Sequence, residues 1–222
     1  MTKTILLHGA LGTAQQMAPF ADLLDSDSMC IDFPGHGALS ADTEAYSIES
    51  MAEFVLEQID EPVELFGHSM GGYVALYLAA HHPELVTNLT TLATKFDWTP
   101  EGAAKEVKML NPEIVKEKVP AFAKMLEVRH GKYWPSVMIR TADMMLNLGA
   151  SPLLTSSVLG KVQCPVLLMR GSEDKMVSEQ ETLRAKSYLQ DANYKELEGQ
   201  PHPFERTDLN LVRGILQQSR QS

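Results

Sequence analysis

The chain has 222 residues, 44% hydrophobic and 22% charged, with 19 Lys or Arg against 29 Asp or Glu and a formal net charge of −10. That length suits one domain with a substantial core, and the negative balance excludes nucleic acid and an anionic membrane as expected partners. No apolar run reaches the roughly 18 residues of a membrane span, residues 1–9 enter turn residues too soon for a secretory signal, and Cys30 and Cys164 read as buried free thiols, so the expected compartment is the cytoplasm.

In chain order, residues 4–7 predict a first strand and 16–24 a helix. A second strand follows at 29–33. Ser47 is then a candidate N-cap for a helix carrying Ile48, Met51, Ala52, Val55, Leu56 and Ile59 at helical spacing. Residues 63–66 predict a strand, 70–82 a helix and 89–93 another strand. From 95 to 162 no good strand occurs, and Pro100, Pro112, Pro135 and Pro152 stand where helices would begin. This stretch predicts three or four helices, with Pro120 as a kink or break in the second. Strand 166–170, helix 178–189, strand 194–197 and helix 205–218 complete the alternation. The pattern predicts a doubly wound α/β fold with a mostly parallel sheet of about six strands. Its core would span residues 1–94 and 163–222, with a helical lid inserted at 95–162.

One stretch carries chemistry. Gly67-His68-Ser69-Met70-Gly71 lies between a strand and a helix, where small residues permit a tight turn that exposes a side chain at its apex. Ser69 would stand at the carboxyl edge of the sheet and the positive end of the following helix. His68 is adjacent in sequence, so across a sharp turn its side chain points away from Ser69, and the base must come from elsewhere. His81 and His82 lie at the far end of the helix, His36 in the turn of 34–37, His130 in the inserted stretch and His8 in a loop of its own. His202 remains, in the loop after the last predicted strand, at the same sheet edge as Ser69. Asp174, just past the strand at 166–170, is the candidate carboxylate to orient it, with Glu173 as the substitute. The turn His8-Gly9-Ala10-Leu11-Gly12 can aim a backbone N–H at a developing oxyanion, Ala10 being favoured over Leu11, and Met70 N–H is the second donor.

With these residues in place the chain resembles the serine α/β-hydrolase superfamily. The matching motifs are His8-Gly9, the run 32–37, Gly67-His68-Ser69-Met70-Gly71-Gly72, Gly171, Asp174 and His202, in that order. The resemblance implies an eight-stranded sheet, whereas this chain starts at what would be the third strand. It also implies Gly-His at the histidine, whereas Pro201 and Pro203 flank His202. The implied reaction is acyl transfer to water, with Ser69 as nucleophile, His202 as base and Asp174 holding the imidazolium. Small carboxylesterases, carrier-protein methyl esterases, C–C bond hydrolases and the lyase of menaquinone synthesis are the members it resembles most. The rival readings are C–C chemistry on the same residues and a ligand sensor on the same fold.

Residues 95–162 hold ten Lys or Arg and seven Asp or Glu, about +3, which leaves −13 on the remainder. That asymmetry leaves two readings: an anionic substrate met by Arg129, Lys132 or Arg140, or lysines that simply decorate the exposed faces of these helices. Trp98, Phe122, Tyr133 and Trp134, with Leu11, are the candidate walls of a partly apolar acyl pocket. A small-molecule ester or acyl thioester is the expected substrate, no cofactor or metal is expected, and the chain is expected to act as a monomer or homodimer.

Overall fold

The structure is a computed structural model and describes residues 2–41 and 46–219. Six strands form one sheet: β1 (Thr4–Leu7), β2 (Ser28–Ile31), β3 (Val63–His68), β4 (Val86–Leu92), β5 (Val166–Gly171) and β6 (Ala192–Leu197). All pairs are parallel, in the order β2-β1-β3-β4-β5-β6. The chain moves outward from β1 to β2 and then crosses to β3 on the other side of β1. This reversal opens a crevice at the carboxyl ends of β1 and β3, the position where open α/β sheets bind ligands.

Side chains alternate between two apolar layers, as the strand period requires. Ile5 and Leu7 pack with α2 (Ile48–Leu56) and α3 (Met70–His81), while Leu6 faces α1 (Ala14–Ala21) and the C-terminal helix Leu209–Ser219. On the Leu6 side Phe20, Phe66 and Phe204 form a trio with ring centroids 4.7 to 6.4 Å apart. Each such buried ring contributes about 1.5–3 kcal/mol, and Phe204 thereby anchors the loop that carries His202 two residues earlier.

Between β4 and β5 lie α4 (Pro100–Glu106), α5 (Pro112–Lys118), α6 (Pro120–His130), α7 (Trp134–Ala150) and the single turn α8 (Ser156–Leu159). Proline opens the first turn of α4 to α7, where its missing N–H removes no intrahelical bond. Of the kink or break expected at Pro120 the structure has the break, α5 ending at Lys118 and α6 starting at Pro120. Pro152 opens no helix and lies in a loop, with Thr155 capping the turn that follows. These helices have a small apolar cluster of their own, centred on Leu126, Val137 and Met138. The remaining helices are α9 (Glu179–Lys186) and α10 (Leu209–Ser219).

Element types follow the sequence expectation, but the inserted stretch holds five helices rather than three or four, because Pro120 separates α5 from α6 and residues 156–159 add a single turn. Some element ends also differ. The strand expected at 89–93 begins at Val86, because the parallel ladder to β3 runs back through polar Asn88. The helix expected at 205–218 begins only at Leu209, because the Asp208 carboxylate accepts from the N–H groups of Asn210 and Leu211 and caps it there. Among the described residues no antiparallel hairpin precedes β1.

Candidate active site

Ser69 stands at the turn from β3 into α3 with φ 51° and ψ −113°, a left-handed conformation that a non-glycine residue adopts only under constraint. The constraint is visible. Ser69 N–H donates to the Leu92 carbonyl at 2.8 Å, and its own carbonyl accepts from Gly72, Tyr73 and Thr94 Oγ1. A Cβ at Gly71 would lie 2.2 Å from the Leu7 carbonyl oxygen, and one at Gly67 would lie 2.4 Å from Gly71. Only glycine lets β1, β3 and α3 close to this distance.

His202 Nε2 lies 3.2 Å from Ser69 Oγ, in position to accept the hydroxyl proton. Its Nδ1–H donates to Asp174 Oδ2 at 2.8 Å. Asp174 Oδ1 accepts from the N–H groups of Met176 and Val177. Burial pushes the Asp174 carboxyl pKa up, but the His202 ring and the two backbone donors outweigh it and hold the group below its ordinary value. Glu173, the alternative carboxylate, is exposed. Its N–H, and the close approach of Gly171 to Gln200, bind the Asp174 loop to the His202 loop.

His68 points away from Ser69. Its ring is buried behind the His202 loop, where Nε2–H donates to the His202 carbonyl at 2.9 Å. Burial, with the nearby His202 ring, lowers its pKa to about 4, so it is neutral. Pro201 and Pro203 supply no N–H, so the chain around His202 has few donors of its own, and the His68 bond helps to hold it. A Cβ at Gly9 would meet His68 Nδ1 at 2.8 Å, which accounts for glycine there.

A second histidine group lies across the crevice. His8 donates through Nδ1–H to the Gly9 carbonyl and accepts from Phe33 N–H through Nε2; burial lowers its pKa to about 4. His130, on α6, accepts from Gly37 N–H and donates to the Leu11 carbonyl. Arg129 also donates to that carbonyl and pairs with Glu205. Leu11 has φ 59° and is buried in the apolar cluster of the inserted helices, so it is a docking point for them.

A small pocket opens beside Ser69, lined by Ala10, Ile48, Met70, Tyr73, Lys95, Trp98, Met144, Met145 and Leu148. It shares Ile48, Met144 and Leu148 with a second pocket whose rim includes Glu49, Asn147 and Ser151. Of the walls expected from sequence, Trp98 lines the pocket. Phe122, Trp134 and Leu11 do not, because they fill the separate cluster of the inserted helices. Tyr133 is exposed, with Lys132 Nζ over its ring at 5.2 Å. Arg129 is engaged with Glu205 and Leu11, and neither it nor Arg140 lines the pocket. Lys95 is the residue the sequence reading passed over. The signal was present, since Lys95 lies just past the end of a strand at the same sheet edge as Asp174. Among the described residues no group of three or more His, Cys, Asp or Glu could hold a metal ion, and no helix is long and apolar enough to cross a membrane.

A family model described as the alpha/beta hydrolase fold matches residues 5–111. The pimeloyl-[acyl-carrier protein] methyl ester esterase of Neisseria meningitidis serogroup C is 30% identical over 198 residues, 78% of this chain and 75% of that protein. Among solved structures, NosK from Streptomyces actuosus superimposes with a TM-score of 0.84 at 20% identity, covering 98% of this chain and 96% of its own. E-2-(acetamidomethylene)succinate hydrolase superimposes with a TM-score of 0.77 at 17% identity, covering 100% and 92%. At these identities the two structures bear on the fold alone.

Proposed function

We propose, from the premise that the chain belongs to the α/β-hydrolase family and is an ester-cleaving hydrolase, that Ser69 is its nucleophile, His202 its base and Asp174 the acid that orients the base. The observation that carries this reading is the position of His202, whose two ring nitrogens lie at 3.2 Å from the serine hydroxyl and 2.8 Å from the carboxylate. Ser69 Oγ attacks the ester carbonyl carbon as its proton passes to His202 Nε2, and Asp174 stabilises the imidazolium. The tetrahedral oxyanion is met by the N–H groups of Ala10 and Met70, both on the pocket wall beside Ser69. Each such donor is worth about 10²–10³ in turnover. Collapse expels the alcohol with the proton from His202, leaving an acyl-enzyme. Water, deprotonated by the same ring, then releases the acid. Leu11 is set aside as a donor because its turn serves the docking of α6.

Residues 95–162 act as a lid, since their Lys95, Trp98, Met144, Met145 and Leu148 close the pocket over Ser69. The pocket's mainly apolar lining suits a carboxylic ester with a medium-sized acyl group. The name of the Neisseria relative makes the methyl ester of a dicarboxylic acyl group the first class to test, ahead of thioesters. Cys164 is buried and Cys30, expected buried, is half-buried; both are free thiols, which supports a reducing, cytoplasmic setting. The test is steady-state hydrolysis of a panel of methyl and aryl esters by wild type and Ser69→Ala. Turnover that falls by about 10⁴-fold or more in the variant is expected. Equal turnover by both proteins contradicts the reading.

A further inference from the structure

The pocket beside Ser69 is apolar over most of its wall, with two exceptions that stand together. Among the described residues that line it, Lys95 alone is charged. Its side chain is 18% exposed, and Nζ donates to the Met176 carbonyl at 3.1 Å. The Glu106 carboxylate forms an ion pair with it at 3.7 Å, too long for a hydrogen bond, so the pair leaves ammonium protons free to donate. An ammonium has three protons, so the protein leaves donor capacity unused on a charge that is mostly out of water. Nζ also sits 5.8 Å from the centre of the Trp98 ring. Trp98 Nε1–H is buried and has no acceptor among the described residues. A buried donor left unpaired costs about 1–3 kcal/mol, and native proteins rarely retain one without a use.

Two neighbouring donors, one of them charged, in an otherwise apolar pocket match a single planar group with two acceptor oxygens and a negative charge. Arg129 does not serve in their place, because it does not line this pocket and is held at Glu205 and the Leu11 carbonyl. We propose that Lys95 and Trp98 form a carboxylate subsite, so that the preferred substrate is the half-ester of a dicarboxylic acid. Its ester carbonyl lies at Ser69, its methylene chain along Met144 and Leu148, and its free carboxylate against Lys95 and Trp98. This inference rests on the reading of Ser69 as an esterase nucleophile and deepens it. It also relocates the positive charge that one reading of residues 95–162 placed at Arg129, Lys132 or Arg140 to a residue just past the end of β4.

The test compares kcat/KM for monomethyl adipate, dimethyl adipate and methyl hexanoate, which share chain length and differ at the far end. Wild type is expected to favour monomethyl adipate over methyl hexanoate by about tenfold or more, the scale of a charge-assisted hydrogen bond. The ratio should collapse toward one in Lys95→Met, persist in Lys95→Arg and fall severalfold in Trp98→Phe. A ratio unchanged in Lys95→Met, or a preference for dimethyl adipate, overturns the subsite. Calorimetric titration of adipate into the Ser69→Ala protein reads the subsite without turnover. Binding is expected to weaken about tenfold or more when Lys95→Met is added, and equal or absent binding in both overturns the proposal. Failure of all three esters with adipate binding intact would instead count against the catalytic reading of Ser69.

Discussion

Around Ser69 the backbone is fixed residue by residue. Its N–H and C=O are both engaged, glycines at 67 and 71 admit no side chain, and φ is held at 51° by contacts from three elements. The inserted helices at 95–162 border the same pocket but are held differently. They have a small cluster around Leu126 and Met138, and α6 docks on the β1 loop through Arg129 and His130 at the Leu11 carbonyl. Val128, Ile139 and Met109 remain exposed on them. The difference separates two tasks. The nucleophile role proposed for Ser69 needs a turn with no freedom, whereas shaping a pocket wall needs only a surface that stays in place. Substitutions in the first region should therefore act through assembly and chemistry, and those in the second through local stability and substrate choice.

The largest effect is expected at the turn itself. Gly71→Ala sets a Cβ 2.2 Å from the Leu7 carbonyl, against backbone that has no room to move, so the variant should fail to accumulate as soluble protein. Recovery of folded, active Gly71→Ala by circular dichroism and ester turnover would show that the turn is looser than its geometry. Next is His68, which acts through the His202 carbonyl. His68→Phe should lower kcat about tenfold with little change in KM, the scale of one lost hydrogen bond in a positioned site. His68→Gln, which can donate to the same carbonyl, should recover most of that loss. Equal kcat in both variants would remove His68 from the positioning of His202.

A smaller effect is expected on stability against pH. His8 and His68 are buried and titrate near 4 in the fold, against 6.5 when free. Between those values the unfolded chain binds more protons, so stability is full above about pH 6.5 and falls as pH drops toward 4, by about 3 kcal/mol for each ring. The depressed Asp174 carboxyl adds further loss at lower pH. Urea midpoints between pH 7.5 and 4.5 measure this, and a flat profile contradicts the neutral, buried state of the two rings. The smallest effect on chemistry belongs to Leu126→Ala in the inserted helices. A cavity there costs about 2–5 kcal/mol locally, visible as faster amide exchange in α6, while acylation of Ser69 by a small reagent should change no more than severalfold. A large loss of acylation would mean that the two regions share one stability.

The contrast also explains what could be read from the sequence. Ser69 and Asp174 each lie just past a strand whose apolar run is locally evident, His202 lies in the loop after the mixed strand β6, and the ends of parallel strands share one sheet edge. Their proximity followed from topology alone. The pocket wall depended instead on how the inserted helices turn, and composition does not encode that. Phe122 and Trp134 look like pocket residues by type, but they were needed to give those helices a core of their own. Lys95 lies just past β4 as Asp174 lies just past β5, whereas the cations that composition draws attention to, Arg129, Lys132 and Arg140, stand in the middle of the inserted segment. Pro120 was legible as a break, since a proline interrupts the ladder of a preceding helix, here one that ends at Lys118, and can open the next.

The most direct measurement of the central claim is labelling of the purified protein with a fluorophosphonate, located by peptide mass spectrometry, in wild type and in His202→Ala. The account predicts stoichiometric label on Ser69 in wild type and its near loss in the variant, because only the His202 ring is in place to take the serine proton. Folded wild type that takes no label, or a variant labelled at the wild-type rate, would contradict it.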